Sequence, residues 1–333
     1  MLQQQGCWAL KTFSMYTNYT VPIVDAGGIV LVVASIKSRP THVGVQIEGC
    51  GALWYLSICN ADNTLAIAAL GGISVVLSAM KLHAGDKNMQ DMGSRVLNIL
   101  TFGNTANIRD VVREGGISVV VSAMKTHTGH VAMQEHGCWS LWNLTIDNPP
   151  NQIRIAEAGG ISVVMLAMTA HMGNTKMQER CCGALRTLAC DNADIQIAIA
   201  AAGGIKMVVS AMRSHPREEG LQLQGCGALV NLGVNADNRI LIAAAGGISV
   251  VVATMKAHIG SSDVQQQGCW ALANLAFKND TNQALILSEG GISAIVLAMK
   301  AHTGHLGVQE RGGQALKFLG TNVEKQNALE AAS

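Results

Sequence analysis

A Gly-Gly-Ile tripeptide recurs through this 333-residue chain at a nearly constant interval. Successive copies are 44 residues apart, except for one step of 43, and they begin at Gly27, Gly71, Gly115, Gly159, Gly203, Gly246 and Gly290. A fixed period of roughly 20–50 residues is typical of arrays in which each unit buries its apolar face against its neighbours. The sequence therefore predicts a solenoid, whose functional surface is extended, rather than a single compact core with a pocket.

The composition limits the classes of partner that such an array is expected to bind. Charged residues make up only 14% of the chain and its net charge is +1, so we expect no nucleic-acid partner. No uninterrupted apolar run reaches the ~18 residues of a bilayer-spanning helix, so we expect no membrane insertion. Six of the nine cysteines recur at one position of the repeat: Cys7, Cys50, Cys138, Cys182, Cys226 and Cys269. Stacked equivalents lie about 8–10 Å apart, beyond disulfide reach, which predicts reduced, buried thiols in an intracellular protein, cytoplasmic or nuclear.

One repeat, taken over residues 62–101, predicts three helices. A short first helix covers residues 65–70 after the polar residues before it, and Gly71-Gly72 ends it because glycine adopts the backbone that a sharp corner requires. A second helix carries apolar residues at helical period over residues 73–80. The third helix is centred on a small residue, here Gly93, with Gln three positions before it and Leu four positions after it in all eight copies.

We number each third helix from this small residue, the reference position, which is Gly6, Gly49, Gly93, Gly137, Cys181, Gly225, Gly268 and Gly312 in turn. Offsets −3, 0, +1, +4 and +7 lie on one face of a helix, so they predict its buried face. The Gln at −3 is expected to be buried and hydrogen-bonded to backbone at a helix end. Offsets −2, +2 and +6, called here the ridge, vary among the copies and are expected to face away from the stack.

Three helices per unit and a glycine corner before the second resemble the armadillo repeat family over the whole chain. The resemblance is clearest in the third-helix segments Gly-Cys-Trp-Ser-Leu-Trp-Asn-Leu (137–144) and Gly-Cys-Trp-Ala-Leu-Ala-Asn-Leu (268–275). It implies an all-α fold, a right-handed superhelical solenoid of three-helix repeats of about 44 residues each. We expect one domain over residues 1–333, with a partial third helix at 1–16, seven full repeats over about 18–320, and the start of a further repeat at 321–333.

The resemblance also implies a function. In armadillo proteins the third helices line the inner wall of a groove, and in the nuclear-import adaptors a Trp and an Asn four residues later bind an extended peptide. Trp139 with Asn143 and Trp270 with Asn274 match both positions here. These two pairs are three repeats apart, whereas the import pattern needs adjacent repeats. The expected function is therefore a non-enzymatic protein-interaction scaffold that binds an extended peptide or a partner helix in the concave groove.

Other ridge and ridge-flanking residues complete the candidate site, namely Trp8, Trp54, Tyr55, Glu135, Trp142 and Asn231. Acidic, aromatic and amide side chains along one ridge favour a ligand with Lys or Arg, through cation–π contacts and charge-assisted hydrogen bonds. A solvated face of mixed charge is the alternative, because Arg95, Arg186 and Lys317 occupy or border the same ridge.

Alternatives to a groove ligand stay open: a purely architectural spacer module, or a regulatory array of a larger multidomain protein. We expect no enzyme activity, cofactor or metal, because no nucleophile stands out from its copies and the repeated histidines lack the converging ligands of a structural zinc site. Trp8, Leu10 and Phe13 lack partners on their amino-terminal side. That pattern predicts either a longer array or end-to-end self-association through uncapped ends.

Overall fold

The computed structural model describes residues 2–58 and 60–320, and these residues form 22 helices and no strand. The chain divides into two compact units, residues 1–163 and 164–333, each of which is described separately. The predicted start of a further repeat at 321–333 lies outside the described residues, and the prediction of a single domain stays a prediction.

The first unit holds the helices of the amino-terminal half of the chain. They are α1 (Leu2–Ser14), α2 (Thr17–Asp25), α3 (Gly28–Ser38), α4 (Val43–Ser57), α5 (Ala61–Ala69), α6 (Gly72–Leu82), α7 (Lys87–Thr101), α8 (Thr105–Arg113), α9 (Gly116–Thr126), α10 (Val131–Thr145), α11 (Pro149–Glu157) and the start of α12 (Gly160–Ala170). The lone third helix α1 precedes three complete repeats, which end with the third helices α4, α7 and α10.

The second unit continues the same order of first, second and third helices. After the end of α12 come α13 (Thr175–Leu188), α14 (Ala193–Ala201), α15 (Gly204–Ser214), α16 (Glu219–Leu232), α17 (Ala236–Ala244), α18 (Gly247–Ala257), α19 (Ser262–Ala276), α20 (Asp280–Ser288), α21 (Gly291–Ala301) and α22 (Leu306–Leu319). Its third helices are α13, α16, α19 and α22. The predicted three-helix repeat is therefore present in both units.

The first helix of the sample repeat begins earlier than predicted, at Ala61. Asn60 caps it, because its side chain accepts a hydrogen bond from the backbone N–H of Asn63 at 2.9 Å. The Asn63 side chain does not cap this helix; it is buried and donates to the carbonyl of Leu56, at the end of the preceding third helix, at 2.7 Å. This bond fixes the turn between the two helices.

The Gly-Gly corner needs each glycine for a different reason. The first glycine of every corner has φ between 77° and 88°. This left-handed backbone is unfavourable for any residue that has a Cβ, but not for glycine. A Cβ on the second glycine would lie 2.7–2.9 Å from the backbone oxygen of a residue in the first helix. The corner therefore lets the first and second helices meet closely, at 70–76° in six repeats.

The Gln at offset −3 links the third helix to the second helix of its own repeat. In seven repeats its Nε2 donates to two carbonyls, ten and seven residues earlier, at 2.8–3.0 Å. Both carbonyls lie at the carboxyl end of the second helix, where no intrahelical N–H is available to them. The predicted backbone-bonded Gln is confirmed at these seven positions, and it is buried at all of them except Gln309, which is half-buried. Gln3 instead bonds the side chains of Ser38 and Arg39.

Side chains at the end of the second helix connect successive repeats. Lys37, Lys81, Lys125 and Arg213 each donate to a carbonyl at the end of the next repeat's first helix. Two residues further along the chain, a His Nε2–H donates to a carbonyl in the preceding repeat at 2.7–2.9 Å; these are His83, His127, His215, His258 and His302. These five histidines therefore form inter-repeat hydrogen bonds.

The small reference residue admits a side chain of the second helix. A Cβ on Gly93 would lie 2.4 Å from the Met80 side chain, and Gly137, Gly225, Gly268 and Gly312 face a Met in the same way. The next position is also buried, except at Gly313. Burial raises the pKa of Cys50, Cys182, Cys226 and Cys269 to about 12, so these thiols stay protonated and unreactive. The structure adds offset +3, from Ala52 to Ala315, to the predicted buried face.

Ser94 replaces cysteine in this row, and its buried hydroxyl makes no hydrogen bond among the described residues. We predict that Ser94→Cys raises the free energy of unfolding by about 1 kcal/mol, because it removes an unsatisfied buried hydroxyl. Chemical denaturation of both proteins, followed by circular dichroism, measures the change.

The matched control is Cys50→Ser, which places a hydroxyl at a fully buried position of the same row. It is expected to lower the free energy of unfolding by about 1–3 kcal/mol. Changes of the same sign in the two variants would contradict this account of the row.

Candidate functional site

The structure places the predicted site residues at different depths. Trp8 is 55% exposed, whereas Asn143 is only 3% exposed. The others are half-buried: Trp54, Tyr55, Glu135, Trp139 and Trp142 in the first unit, and Asn231, Trp270 and Asn274 in the second. The expectation that the whole ridge faces away from the stack is therefore wrong, because parts of it pack between neighbouring third helices.

The +2 position fits the residue at offset +5 of the preceding third helix. Lys11 lies against Gly51, where a Cβ would come within 2.7 Å of its side chain, and Arg186 lies against Gly227 at 2.5 Å. Where the +5 residue is Trp54, the +2 residue is Arg95, whose guanidinium lies 5.1 Å from the Trp54 ring centroid. Part of the variation at +2 is therefore explained by the size of the +5 side chain that packs against it from the preceding repeat.

The asparagines at +6 bridge neighbouring third helices. The Nδ2 of Asn143 donates to the carbonyl of Asn98, that of Asn231 to Arg186, and that of Asn274 to Val230, at 3.3, 2.7 and 2.9 Å. Each accepting carbonyl is at offset +5 of the preceding third helix. These side chains therefore have a structural partner before any ligand is considered.

In the first unit, Asn143 belongs to a buried polar network between α7 and α10. Asn98 accepts from the Ser140 hydroxyl at 2.8 Å and donates to the carbonyl of His136 at 3.1 Å. Because Asn143 is buried beside them, its amide is inaccessible to a peptide in this arrangement. The Trp139–Asn143 pair therefore differs from the predicted binding pair, in which the amide faces the groove.

A chain of contacts crosses the same unit from α4 to α10. Trp54 faces Arg95, Arg95 donates to Asp91 at 3.1 Å, and His136 Nδ1 lies 2.8 Å from the other Asp91 oxygen. Burial alone would raise the pKa of Asp91, but the hydrogen bond from His136 and the charge of Arg95 outweigh it and hold this pKa below its usual value. This part of the ridge is therefore occupied by the protein's own charged side chains.

In the second unit, Asn231 on α16 and Asn274 on α19 come from adjacent repeats and are both half-exposed. A carboxamide has two N–H donors and one acceptor oxygen. Each of these asparagines gives one N–H to the neighbouring helix, which leaves one donor and one acceptor. That pair matches the acceptor and donor of a peptide unit.

Trp270 is on α19, four residues before Asn274, and contacts α22. The Arg311 guanidinium of α22 stacks on its ring at 3.8 Å from the centroid and donates to Gln314 Oε1 at 3.0 Å. The short distance shows that this ring accepts a planar cation on its face. Asn231, Trp270 and Asn274 therefore form the part of the predicted site that combines accessible amides with an aromatic surface.

Metal sites and membrane-spanning helices were the other features to look for in the described part of the chain. No group of three or more His, Cys, Asp and Glu residues there could hold a metal ion. Residues 127–130 and 302–305 both read His-Thr-Gly-His. In each, the second histidine caps the third helix, because the Nδ1 of His130 and of His305 accepts from the backbone N–H three residues on. No single described helix is long and apolar enough to cross a membrane, although six bent helix pairs meet that test when taken together.

Residues 9–196 match the family model described as LRRK2 ARM repeat, which covers more than half of the chain. The chain belongs to this armadillo (ARM) repeat family. No curated protein matches its sequence. The family match agrees with the resemblance seen in the third-helix segments.

Solved structures show the same armadillo fold. An engineered protein from the Northeast Structural Genomics Consortium aligns over 99% of this chain and 93% of its own, with a TM-score of 0.73 and 22% identity. A designed armadillo repeat protein in complex with the peptide (KR)4 aligns over 73% of this chain and 98% of its own, with a TM-score of 0.62 and 18% identity. A second designed armadillo repeat protein aligns over the same shares of the two chains, with a TM-score of 0.64 and 17% identity.

Proposed function

We propose that the third helices α16 and α19 bind an extended peptide, and that the protein is a non-enzymatic interaction scaffold of a reducing, intracellular compartment. The observation that carries the proposal is the adjacent pair Asn231 and Asn274, each with one donor and one acceptor left for a ligand. Third helices pack about 8–10 Å apart, which two to three residues of extended chain can span. The buried, protonated cysteines support the choice of compartment.

The proposal includes a preference for Lys or Arg in the ligand. Arg311 already stacks on Trp270, so a ligand guanidinium that takes its place meets a ring surface of suitable geometry. The exposed Glu310, at the −2 position of α22, offers a carboxylate on the same ridge. The structural likeness to a designed armadillo protein in complex with (KR)4 supports the same ligand chemistry.

We predict that peptides selected against the protein from a random-peptide phage library bind about 30-fold more weakly to the Asn231→Ala/Asn274→Ala variant. Two hydrogen-bonded peptide units at about 1 kcal/mol each give this ratio. Trp270→Ala is expected to weaken the same peptides, and those rich in Lys or Arg most. Fluorescence anisotropy of labelled peptides measures the affinities.

The matched control is Ile240→Ala, an exposed position on the first helix α17 of the same repeat array. It should leave peptide affinity unchanged. Because Asn231 and Asn274 also bridge helices, thermal melts must show that the variant is folded at the assay temperature. Undiminished binding by a folded double variant would overturn the groove proposal, and failure to select any peptide would favour the architectural spacer or a regulatory array without a groove ligand.

A second proposal concerns self-association through the apolar surface of α1–α3. Phe13 is 52% exposed, whereas the Leu at the same +7 position of the other third helices is at most 2% exposed. Trp8, Tyr19 and Leu31 are exposed on the same helices, and Tyr16 is exposed in the turn between α1 and α2. We propose that a second copy of the chain covers them, since exposed apolar patches of this kind mark interfaces.

Sedimentation equilibrium tests this proposal. The wild-type protein should show a concentration-dependent increase in mass that Phe13→Ser/Leu31→Ser reduces, while Ile240→Ala does not. A wild-type protein that stays monomeric at tens of micromolar, or an association that the double variant retains, would exclude this interface.

A further inference from the structure

A pocket of about 740 Å³ opens between α8 and α11, the first helices of two consecutive repeats in the first unit. Its lining comes from those helices, from the start of α9 and from the turn before α11, and no third helix contributes to it. Its volume lies in the usual range for small-molecule sites, roughly 300–1,000 Å³. The pocket is therefore separate from the ridge and asks for its own explanation.

Three arginines and one glutamate give the pocket its charge: Arg109, Arg113, Arg154 and Glu157. Comparison of the repeats shows that these arginines are not part of the architecture. At the position of Arg109, six residues before the corner, the other repeats have Val21, Leu65, Ile153, Ile197, Ile240 and Ala284. None of the residues equivalent to Arg113 or Arg154 is basic either. The basic cluster is thus a local addition to a nearly neutral array.

Two of the three guanidiniums lack a carboxylate partner in the described part of the chain. Arg113 is held by Asp110 at 2.7 Å and lies 3.9 Å from Glu114. Within residues 2–58 and 60–320, Arg154 bonds only the neutral Oδ1 of Asn151, at 3.3 Å, and Arg109 has no hydrogen bond or ion pair. Glu157 is the one carboxylate among the lining residues, so three positive charges face one negative charge in this pocket. A bound anion offsets the remaining excess of positive charge.

The start of α9 adds partial positive charge to the same pocket. Its cap is Gly115, whose backbone is left-handed and which has no side chain to accept a first-turn N–H. Gly115, Ile117 and Ser118 all line the pocket. Unsatisfied N–H groups at a helix start favour anions, and Arg guanidiniums match the oxygens of phosphate in a two-point geometry.

We propose that this arginine pocket binds a phosphomonoester dianion, held by Arg109 of α8 and Arg154 of α11. Val112, Ile117 and Pro150 supply apolar surface for the carbon part of the ligand. A dianion matches the two unpaired guanidiniums, and the third arginine is already neutralised within its own helix. The phosphomonoester comes either from a small phosphorylated molecule or from a phosphorylated side chain of another protein.

Calorimetric titration of the full chain with phenyl phosphate, at fixed ionic strength, tests the proposal. We expect saturable binding that Arg109→Gln/Arg154→Gln weakens at least about tenfold, since each lost charge-assisted bond is worth about 1.5–3 kcal/mol. Arg113→Gln should have a smaller effect. Benzenesulfonate, which carries one negative charge on the same ring, should bind more weakly than phenyl phosphate.

The matched control is Lys206→Gln/Arg217→Gln, which removes the same net charge at exposed positions of the second unit. It should bind phenyl phosphate as the wild type does. A short peptide with one phosphoserine forms the second arm, and the tighter of the two probes identifies the source of the phosphomonoester. No binding of either probe at millimolar concentration, or equal weakening in the two double variants, would overturn the proposal.

Discussion

The hydrogen bonds from the third-helix Gln to the end of the second helix hold each repeat together. Every helix end leaves carbonyls without intrahelical partners, and a buried carbonyl without any partner is costly. One amide, placed three residues before the small reference position, satisfies two of them within a buried layer. The third helix is thereby fixed in rotation and height against the second. The rows of side chains that face neighbouring repeats depend on that placement.

Neighbouring repeats are then joined by side chains that donate hydrogen bonds to backbone carbonyls of the adjacent repeat. Lys81 reaches the end of the next first helix, His127 bonds the preceding loop, and Asn274 bonds the preceding third helix. None of these bonds needs charge pairing or an apolar core of large aromatic residues. This explains how a chain with 14% charged and 4% aromatic residues forms an armadillo array. A ligand on the ridge can therefore use only the donors and acceptors that these bonds do not occupy, such as the second N–H and the oxygen of the Asn231 amide.

Positions that repeat could be predicted from the sequence, because each copy meets the same surroundings. The Gln row, the cysteine row and the glycine corner belong to this class. Positions that vary could not be assigned so easily, since their surroundings come from a neighbour's varying residue. Gly227 is explained only by Arg186 beside it, and the burial of Asn143 only by Asn98 and Ser140. Arg109 and Arg154 are 45 residues apart, so their shared pocket emerges only when the first helices are stacked.

The most direct test of this account is residue-level hydrogen exchange in Gln222→Leu, which removes the bonds from α16 to Met212 and His215 without adding charge. The same substitution removes the bond that the Thr254 hydroxyl of α18 donates to Gln222, so changes in α18 are not counted in the test. The account predicts faster exchange in α16 and at the end of α15, because the third helix loses its anchor there. Amides of α7, where Gln90 makes the same bonds, should keep their wild-type rates. Unchanged exchange in α16 would contradict the claim that these bonds place the third helices and the ridge they carry.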